Sequence, residues 1–251
     1  MQTLKTYSLS IGYSNKTIAS DINITLNSGD LVALIGPNGA GKSTLFKTLS
    51  GRIKPISGII EINGENAENI SAKERAKMMS IVLTERPDDM FLTVNEVVAS
   101  GRLPYSGIFG KLSEDDEKII KESLDIIDIN YLNNRIFNTL SDGEKQKVMI
   151  AKSIAQDTPI IFLDEPTAFL DYPSKIELFS ILKRLATERR KTIIFSSHDL
   201  ELLLRYTDNL WVMGSQMPFL EGTCSDLLKN GKIQEYFNLK NADNEYLMNR
   251  I

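Results

Sequence analysis

The chain has 251 residues, of which 42% are hydrophobic and 25% charged, and its 29 basic and 33 acidic side chains give a net charge of −4. This length suits one large domain, or a core with an added lobe, and can bury a core without disulfides. The single cysteine cannot pair within the chain, which favours a reducing compartment, and without a block of basic residues no nucleic-acid partner is expected.

The first predicted element is an antiparallel sheet at the edge of the molecule. Residues 1–30 alternate loosely between apolar and polar side chains, and residues 58–65, GIIEINGE, alternate around an Asn63-Gly64 hairpin signal. The N-terminal residues lack the apolar run of a signal peptide, and no segment approaches the ~20 apolar residues that span a bilayer. Any role at a membrane is therefore expected to depend on a partner.

A short apolar run, DLVALIG (30–36), leads into the segment GPNGAGKST (36–44). The second segment fits the pattern G-x-x-x-x-G-K-[ST] between a predicted strand and a predicted helix, the context that a phosphate-binding loop requires. Glycine lets backbone N–H groups turn toward phosphate oxygens, Lys42 should reach the β- and γ-phosphates, and the Ser43 hydroxyl suits Mg²⁺. The predicted nucleotide-binding residues are Gly36, Asn38, Gly39, Ala40, Gly41, Lys42, Ser43 and Thr44.

Helical signals dominate the middle of the chain. A capping box, SAKE, begins a helix at Ser71, and a second helix with one apolar face begins after Ser113. Residues 84–112, between them, are rich in proline, glycine and polar side chains. The pattern predicts a helical lobe over about 88–157, inserted between core strands, and a short helical tail over about 225–251.

The segment LSDGEKQ (140–146) combines a helix start with two carboxylates. Ser141 and Glu144 form a capping box before KVMIAKSIA, which explains a helix start without any ligand. The same geometry also directs free N–H groups and the helix dipole at an incoming phosphate. Glu144 can turn back onto the Ser141 backbone, whereas Asp142 must point to solvent or to a basic neighbour.

Two further apolar runs end in residues that suit hydrolysis. PIIFLDEP (159–166) places Asp164 and Glu165 at the carboxyl end of a predicted parallel strand, where α/β sheets hold ligands. Asp164 suits Mg²⁺ coordination, and Glu165 suits polarisation of the attacking water. KTIIFSSHD (191–199) places His198, the single histidine, at the same edge, where we expect it to contact the γ-phosphate.

These motifs, in this order and approximate spacing, resemble those of ABC-type ATPase subunits over essentially residues 3–228. The resemblance implies an α/β fold with a RecA-like P-loop ATPase core, an antiparallel β-subdomain and an inserted helical subdomain, all within one domain, 1–251. It implies ATP and Mg²⁺ as ligands, and a head-to-tail homodimer that holds two ATP molecules at its interface.

The resemblance also implies roles for residues outside the phosphate loop. Tyr13 matches the aromatic residue that stacks on adenine, although a tyrosine there is otherwise an ordinary strand residue. Ser141 and Gly143 would contact the γ-phosphate of the other subunit's ATP, and Asp171, in AFLD, would link the two sites. Asp142 replaces a glycine of the family's usual pattern.

The segment VLTERP (82–87) departs from the family at a second position. A glutamine that contacts Mg²⁺ or the attacking water usually follows this strand and begins the loop that faces the permease. Glu85 takes that place here, with Thr84 as the candidate if the register shifts by one. Glu85 is accordingly predicted at the nucleotide and the metal, with a solvated loop residue as the alternative.

A narrower resemblance concerns VNEVVASGRLPYSGIFGKLSEDDEKII, which begins at Val94, together with FLDEPTAFLDYPSKIELFSIL. Both are similar to the ATPases of iron–siderophore, haem and cobalamin importers. The implied partners are integral-membrane permease subunits and, indirectly, a substrate-binding protein, with the ATPase at the cytoplasmic face of the inner membrane. The alternative is a soluble ABC-type ATPase that acts without a permease, such as a cluster-assembly factor.

Overall fold

The computed structural model describes residues 2–13, 16–85, 91–107, 110–207, 209–215 and 217–237. The strands are β1 (Gln2–Tyr13), β2 (Lys16–Ile22), β3 (Thr25–Asn27), β4 (Leu31–Ile35), β5 (Ser57–Ile62), β6 (Glu65–Asn66), β7 (Met79–Val82), β8 (Ile160–Leu163), β9 (Thr192–Ser196), β10 (Asn209–Val212) and β11 (Leu220–Thr223). The α-helices are α1 (Lys42–Leu49), α2 (Ala72–Met78), α3 (Val94–Ala99), α4 (Glu114–Ile126), α5 (Asp142–Ala155), α6 (Tyr172–Thr187), α7 (Leu200–Tyr206), α8 (Cys224–Lys229) and α9 (Lys232–Phe237). Short 3₁₀ turns lie at Ala67–Asn69, Ser100–Arg102, Asn130–Leu132 and Phe137–Thr139.

The larger sheet is the predicted parallel core. Its strand order is β11-β10-β4-β9-β8-β7, and all neighbours except β10 and β11 are parallel. The apolar runs become β4, β8 and β9, which are buried over almost all of their length. Because β9 lies between β4 and β8, the segments that follow these three strands meet at one edge of the sheet.

The smaller sheet confirms the predicted antiparallel unit. Its order is β2-β1-β5-β6, with β3 also paired to β1. The β5–β6 hairpin turns at Asn63 and Gly64, whose φ angles of 51° and 84° match the turn that this dipeptide favours. Buried side chains of both sheets and of α1 form one apolar cluster, which includes Ile11, Leu34 and Phe46. Helix α1 is thereby fixed between the two sheets.

Helices α3, α4 and α5 form the helical lobe, packed around Val97, Leu124 and Val148. The helix starts at Ser71, Ser113 and Ser141 are confirmed, each with a capping box. Helix α3, a short helix that begins with a further capping box at Thr93, was not predicted. The boundaries 88–157 stay a prediction, since residues 88–90 lie outside the described residues, as do 238–251 of the predicted tail.

The segment GRLPY (101–105) is part of the longer segment that carries the narrower resemblance, and it braces this lobe. Arg102 is buried, and its Nε donates to Asp116 Oδ1 at 2.7 Å while its Nη1 donates to the Ala155 carbonyl at 2.8 Å. The guanidinium also lies 4.0 Å from the centre of the Tyr105 ring. The Ser113 backbone N–H, and then Arg102, lower the pKa of Asp116 to about 2. One arginine therefore joins the 3₁₀ turn after α3 to both α4 and α5.

Within the described ranges, no helix combines the length and the apolar composition that crossing a membrane would require.

Candidate active site

The phosphate-binding segment connects the end of β4 to the start of α1. Gly41 has a φ of 102°, and a Cβ there would lie 2.4 Å from a side-chain carbon of Ile18. A Cβ on Gly36 would lie 2.3 Å from the Met213 carbonyl oxygen. Glycine is required at both positions, because neighbouring strands approach the loop too closely for a side chain.

A cavity of about 230 Å³ lies over this loop. Its lining residues are Ile18, Asn38, Gly39, Gly41, Lys42, Ser43, Thr44 and Glu165. Ser43 is exposed in the first turn of α1, whose first turn has no acidic side chain, so free N–H groups and a partial positive charge face the opening. Ala40 and Thr44 are buried and so help to fix the loop against the core. The cavity suits a phosphate chain.

Lys42 is folded back over its own loop. Its Nζ donates to the Gly36 carbonyl at 2.8 Å and to the Pro37 carbonyl at 3.3 Å. Burial lowers the pKa of Lys42, and the carboxylates of Glu165 and Asp164 oppose that shift. Phosphate oxygens in the cavity would be stronger acceptors than these carbonyls, so the ammonium is held where an anion can take it over.

Asp164 and Glu165 follow β8 directly, at the predicted edge. Asp164 is buried, its backbone N–H extends the β7–β8 ladder to the Val82 carbonyl at 2.8 Å, and its Oδ1 accepts a 2.7 Å hydrogen bond from Ser196 Oγ. Glu165 has a left-handed φ of 50°, and its N–H donates to the same Ser196 oxygen at 2.8 Å. This backbone turn directs the Glu165 side chain into the cavity.

His198 lies two residues beyond Ser196 and contacts the Glu165 side chain. The distance from His198 Nε2 to Glu165 Oε1 is 2.8 Å, and Lys42 Nζ lies 3.5 Å from the same nitrogen. The structure thus brings together Lys42, Ser43, Asp164, Glu165 and His198. The expected contact between His198 and a γ-phosphate stays a prediction.

Tyr13 is the last residue of β1. It faces Lys16 across the β1–β2 hairpin, and its side chain is 53% exposed. The next strand supplies Ile18 to the cavity wall, so the hairpin borders the phosphate site. An exposed ring at this border is compatible with stacking on a base, which stays a prediction.

Ser141, Gly143 and Asp171 form a second group, outside the cavity lining of the described residues. Ser141 caps α5, and Glu144 Oε2 accepts from the Ser141 N–H at 2.7 Å, as expected. Asp171 caps α6 through the Ser174 N–H at 3.1 Å. A Cβ on Gly143 would lie 3.0 Å from the Phe169 carbonyl oxygen, so the two loops adjoin closely. They present one surface.

Asp142 is exposed in the first turn of α5. A carboxylate in the first turn of a helix is favourable, because it opposes the partial positive charge of the free N–H groups. Asp142 therefore suits the helix by itself, although it reduces the positive field that the helix offers to an external phosphate.

Glu85 lies beside α1. Its Oε2 is 3.9 Å from Lys47 Nζ, and its side chain is 86% exposed. Thr84 Oγ1 donates to the Asp164 carbonyl at 3.3 Å, so the neighbouring residue contacts the backbone of the β8 edge. The two candidates therefore occupy different positions, and the predicted contact of Glu85 with the metal stays a prediction. Residues 86 and 87 of VLTERP lie outside the described residues.

The donor set fits Mg²⁺ bound together with a nucleotide. In the part of the chain that the structure describes, no three His, Cys, Asp or Glu side chains form a metal cage. Mg²⁺ is usually held by one or two carboxylates together with substrate phosphates and waters. Ser43, which carries a hydroxyl and lines the phosphate-sized cavity, and Asp164, buried directly before the cavity-lining Glu165, supply donors of the required kind.

Ser196 is the site residue that sequence reasoning missed. The signal available was the two-residue spacing in SSHD, which places Ser196 and His198 on the same side of an extended chain. Ser196 meets Asp164 because the preceding residues, Phe195 of β9 and Leu163 of β8, are paired, and this register cannot be read from the sequence.

The chain is similar to known proteins of one family. A family model described as ABC transporter matches residues 19–168. An uncharacterised ABC transporter ATP-binding protein of Methanocaldococcus jannaschii is 42% identical over 240 residues, covering 96% of this chain and 83% of that protein. The iron(3+)-hydroxamate import ATP-binding protein of Bacillus subtilis is 35% identical, covering 95% and 89%. A metal-chelate type ABC transporter solved in an inward-facing conformation matches with a TM-score of 0.83 and 28% identity, covering 95% and 90%.

Proposed function

Because this chain belongs to the ABC transporter family and is an ATPase subunit of that family, we propose that it powers import of a metal chelate through a membrane permease. The single observation that carries the ATPase chemistry is the convergence of four side chains at the phosphate loop. Lys42 and Glu165 line the cavity, His198 contacts both, and the buried Asp164 directly precedes Glu165. The predicted cargo classes are an iron–siderophore, haem or cobalamin. The importer named among the relatives favours this function over the soluble ATPase that acts without a permease.

The chemistry that the site supports is attack of water on the γ-phosphate of ATP. Lys42 leaves the Gly36 and Pro37 carbonyls for phosphate oxygens, and the N–H groups of the loop hold the remaining oxygens. Glu165 accepts the proton of the attacking water, while His198 contacts one of its carboxylate oxygens. His198 then contacts the γ-phosphate.

Mg²⁺, when bound with ATP, supplies positive charge at the phosphate oxygens. The side chains that hold it are Ser43 and Asp164, with Glu85 as a third candidate. The role of Asp164 is supported by its burial and by the fixed orientation of its carboxylate.

The active form is a head-to-tail homodimer with ATP at the interface. The surface formed by Ser141, Gly143 and Asp171 supports this arrangement, because it is an exposed helix N-terminus beside a second capped helix. Such a surface meets the γ-phosphate in the opposing subunit. Tyr13 stacks on the adenine. The dimer closes on ATP, opens after hydrolysis and moves the permease subunits at the cytoplasmic face of the inner membrane.

The test is transport in proteoliposomes. The chain is co-expressed with the permease subunits of a metal-chelate importer from the same organism, and the complex is supplied with the matching substrate-binding protein. We expect uptake of a radiolabelled iron–siderophore that requires ATP on the cytoplasmic side, and loss of uptake with Lys42→Ala, which removes the phosphate-directed cation. ATP hydrolysis by the isolated chain without co-purification of any permease would instead support the soluble alternative.

A further inference from the structure

Ser196 connects the two carboxylate residues that follow β8. Its side chain is fully buried at the last position of β9. We propose that Ser196 is a positioning residue for ATP hydrolysis, whose single hydroxyl fixes the Asp164 carboxylate and the Glu165 backbone relative to each other. This inference rests on the proposed roles of Asp164 and Glu165.

The directions of the two hydrogen bonds follow from the chemistry of the partners. A backbone N–H donates only, so Ser196 Oγ accepts from Glu165 at 2.8 Å. An ionised carboxylate accepts only, so the hydroxyl proton points at Asp164 Oδ1, 2.7 Å away. Serine and threonine combine both roles in one oxygen, whereas alanine and valine offer neither. The position therefore requires a hydroxyl and not merely a small residue.

Glu165 is the residue that needs this support. Its φ of 50° lies in the left-handed region, which a non-glycine residue occupies only when its surroundings hold it there. The Ser196 oxygen accepts from the N–H of that residue, and His198, two residues beyond the end of β9, contacts its carboxylate. The end of β9 therefore holds Glu165 at its backbone and at its side chain.

The end of β9 is itself fixed to the phosphate-loop strand. The Ser197 N–H donates to the Leu34 carbonyl of β4 at 3.3 Å. The chain of contacts runs from β4, which carries the phosphate loop, through β9 to Asp164 and Glu165 after β8. Among the described residues of β9, Ser196 is the only one whose side chain hydrogen-bonds to both Asp164 and Glu165. Its loss should misplace the carboxylates while the backbone pairing of the sheet remains.

The experiment compares Ser196→Thr with Ser196→Val. The two side chains have nearly the same shape, so any difference between them reports the hydroxyl and not the added volume. We expect Ser196→Thr to retain at least about half of the parent kcat, and Ser196→Val to lose about ten- to hundredfold. The KM for ATP should change by less than about threefold in both variants, because Ser196 positions groups for the chemical step and does not itself bind ATP.

A second readout does not depend on turnover. Binding of Mn²⁺ in the presence of ATP is measured by electron paramagnetic resonance of the free ion. We expect Ser196→Val to weaken Mn²⁺ binding by about ten- to hundredfold, the size of effect typical for the loss of a group that orients a metal ligand, and Ser196→Thr to bind as the parent does. Binding of ATP without metal should be equal in the two variants.

Ser153→Ala is the matched control for general loss of a buried hydroxyl. Ser153 is buried in α5, and its Oγ lies 2.7 Å from Ser80 Oγ, away from the cavity-lining residues. It should lower the melting temperature without changing the KM, the kcat or Mn²⁺ binding.

Equal kcat and equal Mn²⁺ binding for the threonine and valine variants would overturn the proposal. So would a Ser153→Ala control that loses kcat and Mn²⁺ binding as Ser196→Val does, because the losses would then follow the fall in melting temperature and not the Ser196 hydroxyl. An inactive parent would contradict the proposed ATPase function instead, and the Mn²⁺ comparison would still decide the role of the hydroxyl.

Discussion

His198 Nε2 lies 2.8 Å from Glu165 Oε1 and 3.5 Å from Lys42 Nζ. A carboxylate accepts only and an ammonium donates only, so one nitrogen cannot hydrogen-bond to both in the same protonation state. The shorter distance favours an Nε2–H that donates to Glu165, with the Lys42 ammonium held by the loop carbonyls. In this arrangement the predicted base already has a donor. The contact occupies one acceptor position of Glu165, and the carboxylate keeps further lone pairs that can accept a proton from water.

Glu165→Gln tests the role of this carboxylate. The amide cannot accept the proton of the attacking water, so we expect ATP binding within about threefold of the parent and turnover lowered by about a hundredfold or more. Because ATP then persists, a dimer should appear in size-exclusion chromatography only when ATP is present. Turnover near the parent rate would remove Glu165 from the role of general base.

Ser141→Arg tests the arrangement of two sites across a dimer. A bulky cation at the start of α5 should leave ATP binding intact and block closure, with hydrolysis reduced by about a hundredfold. Mixed with Lys42→Ala, it gives one composite site with both defects and one with neither. If each site works alone, we expect about a quarter to half of the parent ATPase rate, because each mixed dimer keeps one intact site of two.

If this mixture is as inactive as each parent variant, either both sites must function together or the residues do not act across an interface. Disulfide crosslinking between cysteines introduced beside Ser141 and in the phosphate loop separates these two outcomes.

Glu85→Gln tests the departure from the family at the end of β7. A carboxylate binds a hard cation more strongly than an amide does, and it adds negative charge near Asp164 and Glu165. We expect the parent ATPase, with the permease present, to depend steeply on the concentration and type of metal. Glu85→Gln should retain activity and shift the half-saturating Mg²⁺ concentration by about tenfold, and Glu85→Ala should uncouple hydrolysis from transport.

The measurement is ATPase rate against Mg²⁺ and Mn²⁺ concentration for the parent and both variants. Three superimposable curves would leave Glu85 as an exposed partner of Lys47, which is where the structure places its carboxylate.

Asp116→Asn tests the brace of the helical lobe through pH. The pKa of Asp116 is lowered to about 2 from an ordinary 3.8, so its contribution to stability is present above about pH 4 and is lost as pH falls through 2. We expect Asp116→Asn to lower the free energy of unfolding by about 2 kcal/mol at pH 6, because charged hydrogen bonds are lost. The difference from the parent should shrink between pH 4 and pH 2.

Urea unfolding at a series of pH values measures this difference. Asp115→Asn, an exposed neighbour in the same first turn of α4, is the control and should remain close to the parent at every pH. A constant difference between parent and Asp116→Asn across the series would show that the carboxylate charge is not what Arg102 recognises.

The fold and the main site residues were predictable because local patterns report them. Short apolar runs ending in GPNGAGKST, DEP and SHD predict parallel strands, and the carboxyl-edge rule then brings their ends together. The role of Ser196 was not predictable in the same way, since its partners depend on the register between β8 and β9. Helix α3 was missed because six residues are too few to show a clear period.

The segment GRLPY is visible in the sequence, but its physical role is not. In the sequence these five residues are part of a segment that resembles one group of importers, and the pattern does not indicate what its arginine contacts. The structure gives it a physical role, because Arg102 joins Asp116, Tyr105 and the end of α5. Those partners lie on separate elements, and only the packed lobe brings them together.

Strand β4, which carries the phosphate loop, has both of its sheet partners late in the chain. Leu31 pairs with Ile193 of β9, and Val32 pairs with Asn209 of β10. During synthesis on the ribosome, β4 and the loop emerge first and then wait with two unpaired edges until those strands follow. Contacts so distant in sequence form slowly. The pairing that joins the phosphate loop to the segment after β9 is therefore completed only when the last third of the chain is available.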